Sequence, residues 1–243
     1  MWQMRNFSGY YSTLISRLLN TLYPSRCPEC QKFSDIYEYS PICSSCWSQI
    51  KKYSGTLCTI CAEPFSSEYA EICGPCLKNT PPFTKVITYG LYEGILAEAI
   101  NQFKFHAVKR LSKPLGTLLI GLFFPQVDCI VPVPLTIKRL RERGFNQSLL
   151  IARFVSKETG IPLLMDVLRK KKDTLPQLGL SAKERRLNIK NAFEIVGTIK
   201  GLRILLVDDV MTTGATVSEC SRQLLKAFAQ EVFVLTLARA RFQ

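Results

Sequence analysis

Four Cys-x-x-Cys pairs, Cys27/Cys30, Cys43/Cys46, Cys58/Cys61 and Cys73/Cys76, occupy the front of this 243-residue chain, with 12, 11 and 11 residues between successive pairs. A Cys-x-x-Cys turn aims both sulfurs at one centre, and two such pairs complete a tetrahedral four-thiolate zinc site. Four pairs give two zinc sites with no ligand left over. Disulfides are the competing use of so many cysteines, but they belong to secreted domains, and no secretory leader pattern precedes these. The metal partners stay open between sequential pairing, which makes a double ribbon, and interleaved pairing, which makes a cross-braced unit. Sequential pairing is favoured because each gap is long enough for its own hairpin. Polar and turn residues between the pairs (Ser34, Asp35, Pro41, Gly55, Pro64, Ser66, Ser67) fit short ribbons rather than a packed core. Bound metal is then expected to supply much of the folding free energy of the module at 27–80.

Ahead of it, Phe7, Tyr11, Leu14, Leu18 and Leu22 recur every three to four positions, so residues 1–26 read as an amphipathic helix. That helix either docks on the rest of the protein or anchors it to a membrane surface. No apolar run approaches the ~18 residues of a membrane span; Leu115 to Phe124 is short and holds Gly116 and Gly121. A cytoplasmic protein without a transmembrane segment is the expectation.

Beyond Pro81 and Pro82 the cysteine pairs stop and a larger domain, 81–243, begins. Strands are expected over Lys85–Tyr92, Asp128–Val133, Leu163–Leu168, Phe193–Val196, Leu202–Val207 and Val232–Ala238. Helices are expected over Glu93–Phe103, Ser112–Phe124, Asn146–Thr159 and Thr216–Phe228. Strands alternating with helices predict an α/β fold, a mostly parallel sheet flanked by helices. Cys129 and Cys220 fall in apolar patterns and read as buried structural thiols.

In such sheets ligands bind beyond the carboxyl ends of the strands. There the sequence runs from Ile204 through Asp208 and Asp209 to Thr212, Thr213, Gly214, Ala215 and Thr216. An apolar strand meets two acids, and a short loop then opens a helix. Gly214 permits a tight turn, N–H groups at a helix start bind phosphate, and the threonine hydroxyls add donors. Paired carboxylates suit sugar hydroxyls and a magnesium ion.

This segment closely resembles the phosphoribosyl diphosphate (PRPP) signature of type I phosphoribosyltransferases. The resemblance implies that Asp208 and Asp209, the catalytic acids, hold the 2′ and 3′ hydroxyls of the ribose, with Thr212 to Thr216 around its 5′-phosphate. It also implies a diphosphate loop at Pro132-Val133-Pro134-Leu135, followed by Arg143 and Gly144, and a mobile catalytic loop over Asp173 to Lys183. Val131-Pro-Val-Pro, Arg143 to Gln147, Gln177 to Arg185, Asn188 to Phe193 and the cysteine module together resemble the ComF-type competence proteins. That group is associated with natural transformation, the handling of incoming single-stranded DNA in the bacterial cytoplasm alongside DNA-uptake and recombination proteins.

Charge is uneven. Residues 1–80 hold 7 basic and 6 acidic side chains, and residues 81–243 hold 25 and 13. PRPP is itself strongly anionic, but it accounts for only a few of these cations. Lys104, Arg139, Arg141, Lys170, Lys171, Lys172, Arg185 and Arg186, with Phe145 as a stacking ring, are candidates for a groove along single-stranded nucleic acid. A solvated surface is the plain alternative for Arg169 to Lys172, and the core for the aromatics. His106, the one histidine, sits in a charged stretch where no nucleophilic triad can be assembled. Two functions follow: a DNA-handling protein with a PRPP ligand, or a metabolic phosphoribosyltransferase acting on a nucleobase or other small acceptor. No segment resembles the hood that grips a base in salvage enzymes, which favours the first.

Overall fold

The computed structural model describes residues 24–65, 70–123, 125–171 and 189–241. The expected helix over 1–26, apart from its last three residues, lies outside them. So do Ser66, Ser67, Lys172, Arg185, Arg186 and the expected catalytic loop. No helix among the described residues is long and apolar enough to cross a membrane.

Four strands, β1 (Lys85–Leu91), β2 (Cys129–Pro132), β5 (Arg203–Met211) and β6 (Glu231–Arg239), form one sheet in the order β1-β6-β5-β2. Every neighbouring pair in it is parallel. A short antiparallel pair, β3 (Leu168–Lys170) with β4 (Phe193–Ile195), stands beside it. Period-two alternation divides the central strands between two apolar layers. Ile204 and Leu206 of β5, with Val232 and Val234 of β6, enter one layer, and Leu205, Val207, Phe233 and Leu235 enter the other. Helices α3 (Gly94–Lys104), α4 (Ser112–Ile120) and α6 (Gln147–Thr159) cover the second layer, and α7 (Ala215–Lys226) covers the first. Cys129 and Cys220 are buried, as their apolar settings imply.

The ribbons contain two further short helices, α1 (Ser44–Trp47) and α2 (Gly74–Lys78), each starting directly after the first cysteine of its ribbon's second Cys-x-x-Cys pair and holding the other. Contrary to the expectation of ribbons set apart from a packed core, their cysteines are buried within the sheet's own layers. Cys27, Cys43 and Cys46 join the layer under α3, α4 and α6, and Cys58, Cys61, Cys73 and Cys76 join the layer under α7. Main-chain bonds tie them down: Val86 N–H donates to the Ile60 carbonyl at 2.7 Å, and Tyr53 N–H to that of Tyr89 at 3.0 Å.

Two expectations change, and one helix is added. β5 does not stop at Val207, because its ladder to β6 continues through Asp208 to the Met211–Arg239 pair. Leu163–Leu168 is not a strand. Leu163 makes a single bridge to Ile130, and ladder pairing begins only at Leu168. The basic cluster after β2 folds as a helix, α5 (Ile137–Arg143), whose Thr136 side chain accepts the Arg139 N–H and whose C-terminal Gly144 takes φ +73°.

Candidate functional site

Each ribbon brings its four sulfurs together. Those of Cys27, Cys30, Cys43 and Cys46 lie within 4.8 Å of one another, as do those of Cys58, Cys61, Cys73 and Cys76. Two four-thiolate sets of this size fit one tetrahedral zinc ion each, and the pairing is sequential. The knuckles are near copies. Cys27 N–H donates to Lys32 O and Cys58 N–H to Glu63 O, and Gln31 and Ala62 both take positive φ.

The acid pair sits near the carboxyl end of β5. Asp208 is half-buried and Asp209 buried. The Ser148 hydroxyl, in the first turn of α6, donates to Asp208 Oδ1 at 2.9 Å. The Lys104 ammonium, at the end of α3, reaches Asp209 Oδ2 at 2.8 Å. Burial and the neighbouring Asp209 push the Asp208 carboxyl up to about 7. Burial works against ionisation of Asp209 as well, but Lys104 outweighs it and holds that carboxyl below the ordinary range. The site thus keeps one firm carboxylate with a counter-ion and one carboxyl poised near neutrality.

After β5 the chain turns through Gly214, at φ +75°, into α7, whose first turn has no side-chain cap. A Cβ at Gly214 would come within 2.6 Å of the Met211 methyl, so both backbone and space demand glycine. Uncapped N–H groups at the head of a 12-residue helix are suited to an anion.

A cavity of about 440 Å³ joins these parts, lined by Asp208, Asp209, Thr212, Gly214, Ala215 and Thr216. Val133, Pro134, Leu135 and Arg143 line it too, so the segments after β2 and β5 meet in it. Asn146 caps α6, and its amide donates to the Val133 carbonyl at 3.0 Å, tying the start of α6 to the segment after β2. Gly144 ends α5 and does not line the cavity. Thr213 departs from its expected place as well. It lines a second cavity of about 360 Å³, between the second ribbon and the loop, with its hydroxyl buried and without a hydrogen-bond partner.

The basic residues separate into groups. Lys104, Arg139 and Lys170 line the cavity that holds the acid pair, whereas Arg141 and Lys171 are exposed. Phe145 is buried and packs its ring 5.4 Å from that of Phe103, so it is core and offers no face to a base. Phe105 is the exposed ring instead, at the cavity mouth, with Lys104 and Arg143 within 6 Å of its centroid. His106 is exposed. Sequence reading missed Ser148 and Tyr92, which also line the cavity; Ser148 follows directly on the Arg143–Gln147 segment, and that adjacency was the available signal.

It missed Arg239 too. At the end of β6, this fully buried guanidinium donates from Nε to Cys61 O at 3.2 Å and from Nη1 to Met211 O at 3.0 Å, and also to the carbonyls of Thr212 and Ala240. Its Nη2 pairs with Glu63 at 2.6 Å.

Comparison with known proteins adds three findings. A double zinc ribbon domain family matches residues 18–77. The chain is 36% identical over 228 residues to Competence protein F of Haemophilus influenzae, an alignment covering 88% of this chain and 97% of that one. It is 35% identical to DNA utilization protein YhgH of Escherichia coli K12 (82% and 90% covered) and 28% identical to Competence protein ComFC of Bacillus subtilis (82% and 84%). Among solved structures, the glutamine PRPP amidotransferase of B. subtilis overlaps 51% of this chain and 25% of its own, at 25% identity and a TM-score of 0.37.

Proposed function

The chain belongs to the ComF family of competence proteins, and from that premise we propose that it handles incoming single-stranded DNA during natural transformation, in the cytoplasm, with a magnesium-dependent PRPP site of phosphoribosyltransferase type. One observation carries the ligand reading: a single cavity unites the Asp208/Asp209 pair, the uncapped head of α7 and the Val133–Leu135 segment. Carboxylates accept from sugar hydroxyls, and the N–H groups of the helix start and the threonine hydroxyls donate to a 5′-phosphate. Arg143 and Arg139 line the same cavity and would supply cations to a diphosphate. Magnesium, when bound with PRPP, would neutralise charge on the departing diphosphate. The chain's own part is to orient the ribose and to hold Asp209 ionised through Lys104.

Support for the nucleic-acid half comes from charge. The net +12 of residues 81–243 exceeds what one PRPP needs, and Phe105 offers an exposed ring among cations at the cavity mouth. The ribbons would then serve as a surface for DNA or for other DNA-uptake or recombination proteins.

Calorimetric titration with PRPP and magnesium, with and without a short single-stranded oligonucleotide, while assaying diphosphate, tests the whole reading. Salt-sensitive oligonucleotide binding without base-stimulated diphosphate release is expected. Turnover that demands a free nucleobase, with no oligonucleotide affinity, would instead mean a metabolic phosphoribosyltransferase. The Asp208→Ala, Asp209→Ala double variant should lose PRPP binding while keeping its fold, and retained affinity would remove the acids from the site.

A further inference from the structure

We infer that Arg239 is a positioning residue through which the zinc-bound state of the second ribbon sets the geometry of the Thr212–Thr216 loop. Where the loop is taken as the seat of the 5′-phosphate, this rests on the reading above; the link between ribbon and loop does not.

Arg239 joins two structures that are distant in sequence. One edge of its guanidinium holds the second knuckle, through the carbonyl of the zinc-ligating Cys61 and the carboxylate of Glu63. The other holds the carbonyls of Met211 and Thr212. A guanidinium is flat and rigid, so its two edges cannot be displaced independently.

The loop contacts have a directional consequence. In a planar trans peptide the C=O and the following N–H point opposite ways. Fixing the Met211 and Thr212 carbonyls on Arg239 therefore makes the N–H groups of Thr212 and Thr213 point away from it. Arg239 thus orients donors it never touches. Met211, paired with Arg239 at the end of the β5–β6 ladder, also fills the space beside Gly214 and fixes the turn from behind.

The ribbon contacts depend on metal. Cys58 N–H to Glu63 O and Ala62 N–H to Cys58 O close the knuckle around two zinc ligands. When the metal leaves, that turn loses its centre, and both ribbon anchors of Arg239 loosen together. The first ribbon supplies an internal control. At the position of Glu63 in its near-identical knuckle stands Lys32, which is exposed.

The test follows amide hydrogen exchange of the 211–217 segment in zinc-loaded, ligand-free protein, alongside zinc content and PRPP affinity. Cys58→Ser should speed exchange in this segment well beyond the general loosening that Cys27→Ser causes. Arg239→Met should do the same as Cys58→Ser while keeping both zinc ions, and should weaken PRPP binding about tenfold or more, the worth of one charge-assisted hydrogen bond. Glu63→Gln, which keeps an amide oxygen beside Nη2 but removes the charge, should hold exchange nearer the native rate than Glu63→Ala does. This pair decides the matter if Arg239→Met fails to fold. Native loop exchange in both Cys58→Ser and Glu63→Ala, or equal effects of Cys58→Ser and Cys27→Ser, would overturn the inference. Absence of PRPP binding by the unaltered protein would remove the ligand reading and leave the exchange comparison to decide the coupling.

Discussion

The two ribbons start from one local design and end in different circumstances. Both close a Cys-x-x-Cys knuckle with equivalent main-chain bonds, both place a residue at positive φ after the second cysteine, and both start a short helix at the following pair. The first lies in the layer beneath α3, α4 and α6, where Arg110 donates to Ser40 O at 2.8 Å and Tyr89 donates to Ile50 O. Neither Arg110 nor Tyr89 lines the cavity that holds the acid pair. The second lies on the opposite face and, through Arg239, meets the loop between β5 and α7. A duplicated metal motif can therefore brace the fold in one copy and brace a site in the other. What its carbonyls and side chains meet decides which.

The harshest way to break this comparison is to remove a zinc ligand from each ribbon in turn. In zinc-finger peptides a structural zinc contributes on the order of 10–16 kcal/mol at neutral pH, and part of such a contribution stabilises each layer here because the cysteines sit in the sheet's own core. Cys27→Ser and Cys58→Ser should each lower zinc content from two per chain to one and cause the largest losses of stability of any variants considered. Unchanged zinc content in either would remove that cysteine from the ligand set.

A milder test attacks the acid pair from the first ribbon's face. Lys104 ends α3, which packs in that layer, so Lys104→Met should leave exchange of the 211–217 segment unaltered while depriving Asp209 of its partner. The cost should be on the order of 1–3 kcal/mol at neutral pH. Its pH dependence has a definite sign. Asp209 is held below its ordinary 3.8, so the stability it derives from Lys104 is fully present above that value and is lost as pH falls through the lower folded one. The variant should therefore match the wild type in strong acid and fall behind above pH 4. A deficit of equal size at both ends would mean that Lys104 contributes packing rather than charge.

These tests also mark what could be read from sequence. The cysteine pairs, the apolar runs of β5 and β6 and the Asp208–Thr216 segment were legible because each is local: a spacing, a run, a strand followed by a turn. The end of β5 was not, since carboxylates look like a strand's end and only the ladder to β6 carries it to Met211. The helix Ile137–Arg143 was hidden by its own charges, although Thr136 and Gly144 were capping signals in plain view. Leu163–Leu168 had the composition of a strand but too little pairing to make one. Arg239 was beyond reach, because its partners lie 28 and 178 residues away. Its one hint was a charge closing the apolar run Val232–Ala238.

The smallest effect is the sharpest control. Lys32 occupies in the first knuckle the position that Glu63 occupies in the second, with the same carbonyl bonded to the first cysteine's N–H. Only the side chains differ, one exposed and the other buried against Arg239. The shared main-chain bond survives truncation at either position, so any inequality between the variants comes from the side chain alone. Lys32→Ala should change stability by no more than about 0.5 kcal/mol, the usual range for an exposed side chain. Glu63→Ala strands a buried guanidinium edge and should cost several times more. Denaturant titration of the two variants measures the ratio directly. Equal costs would place the value of Glu63 in the knuckle itself, and the two ribbons would then differ in location but not in role.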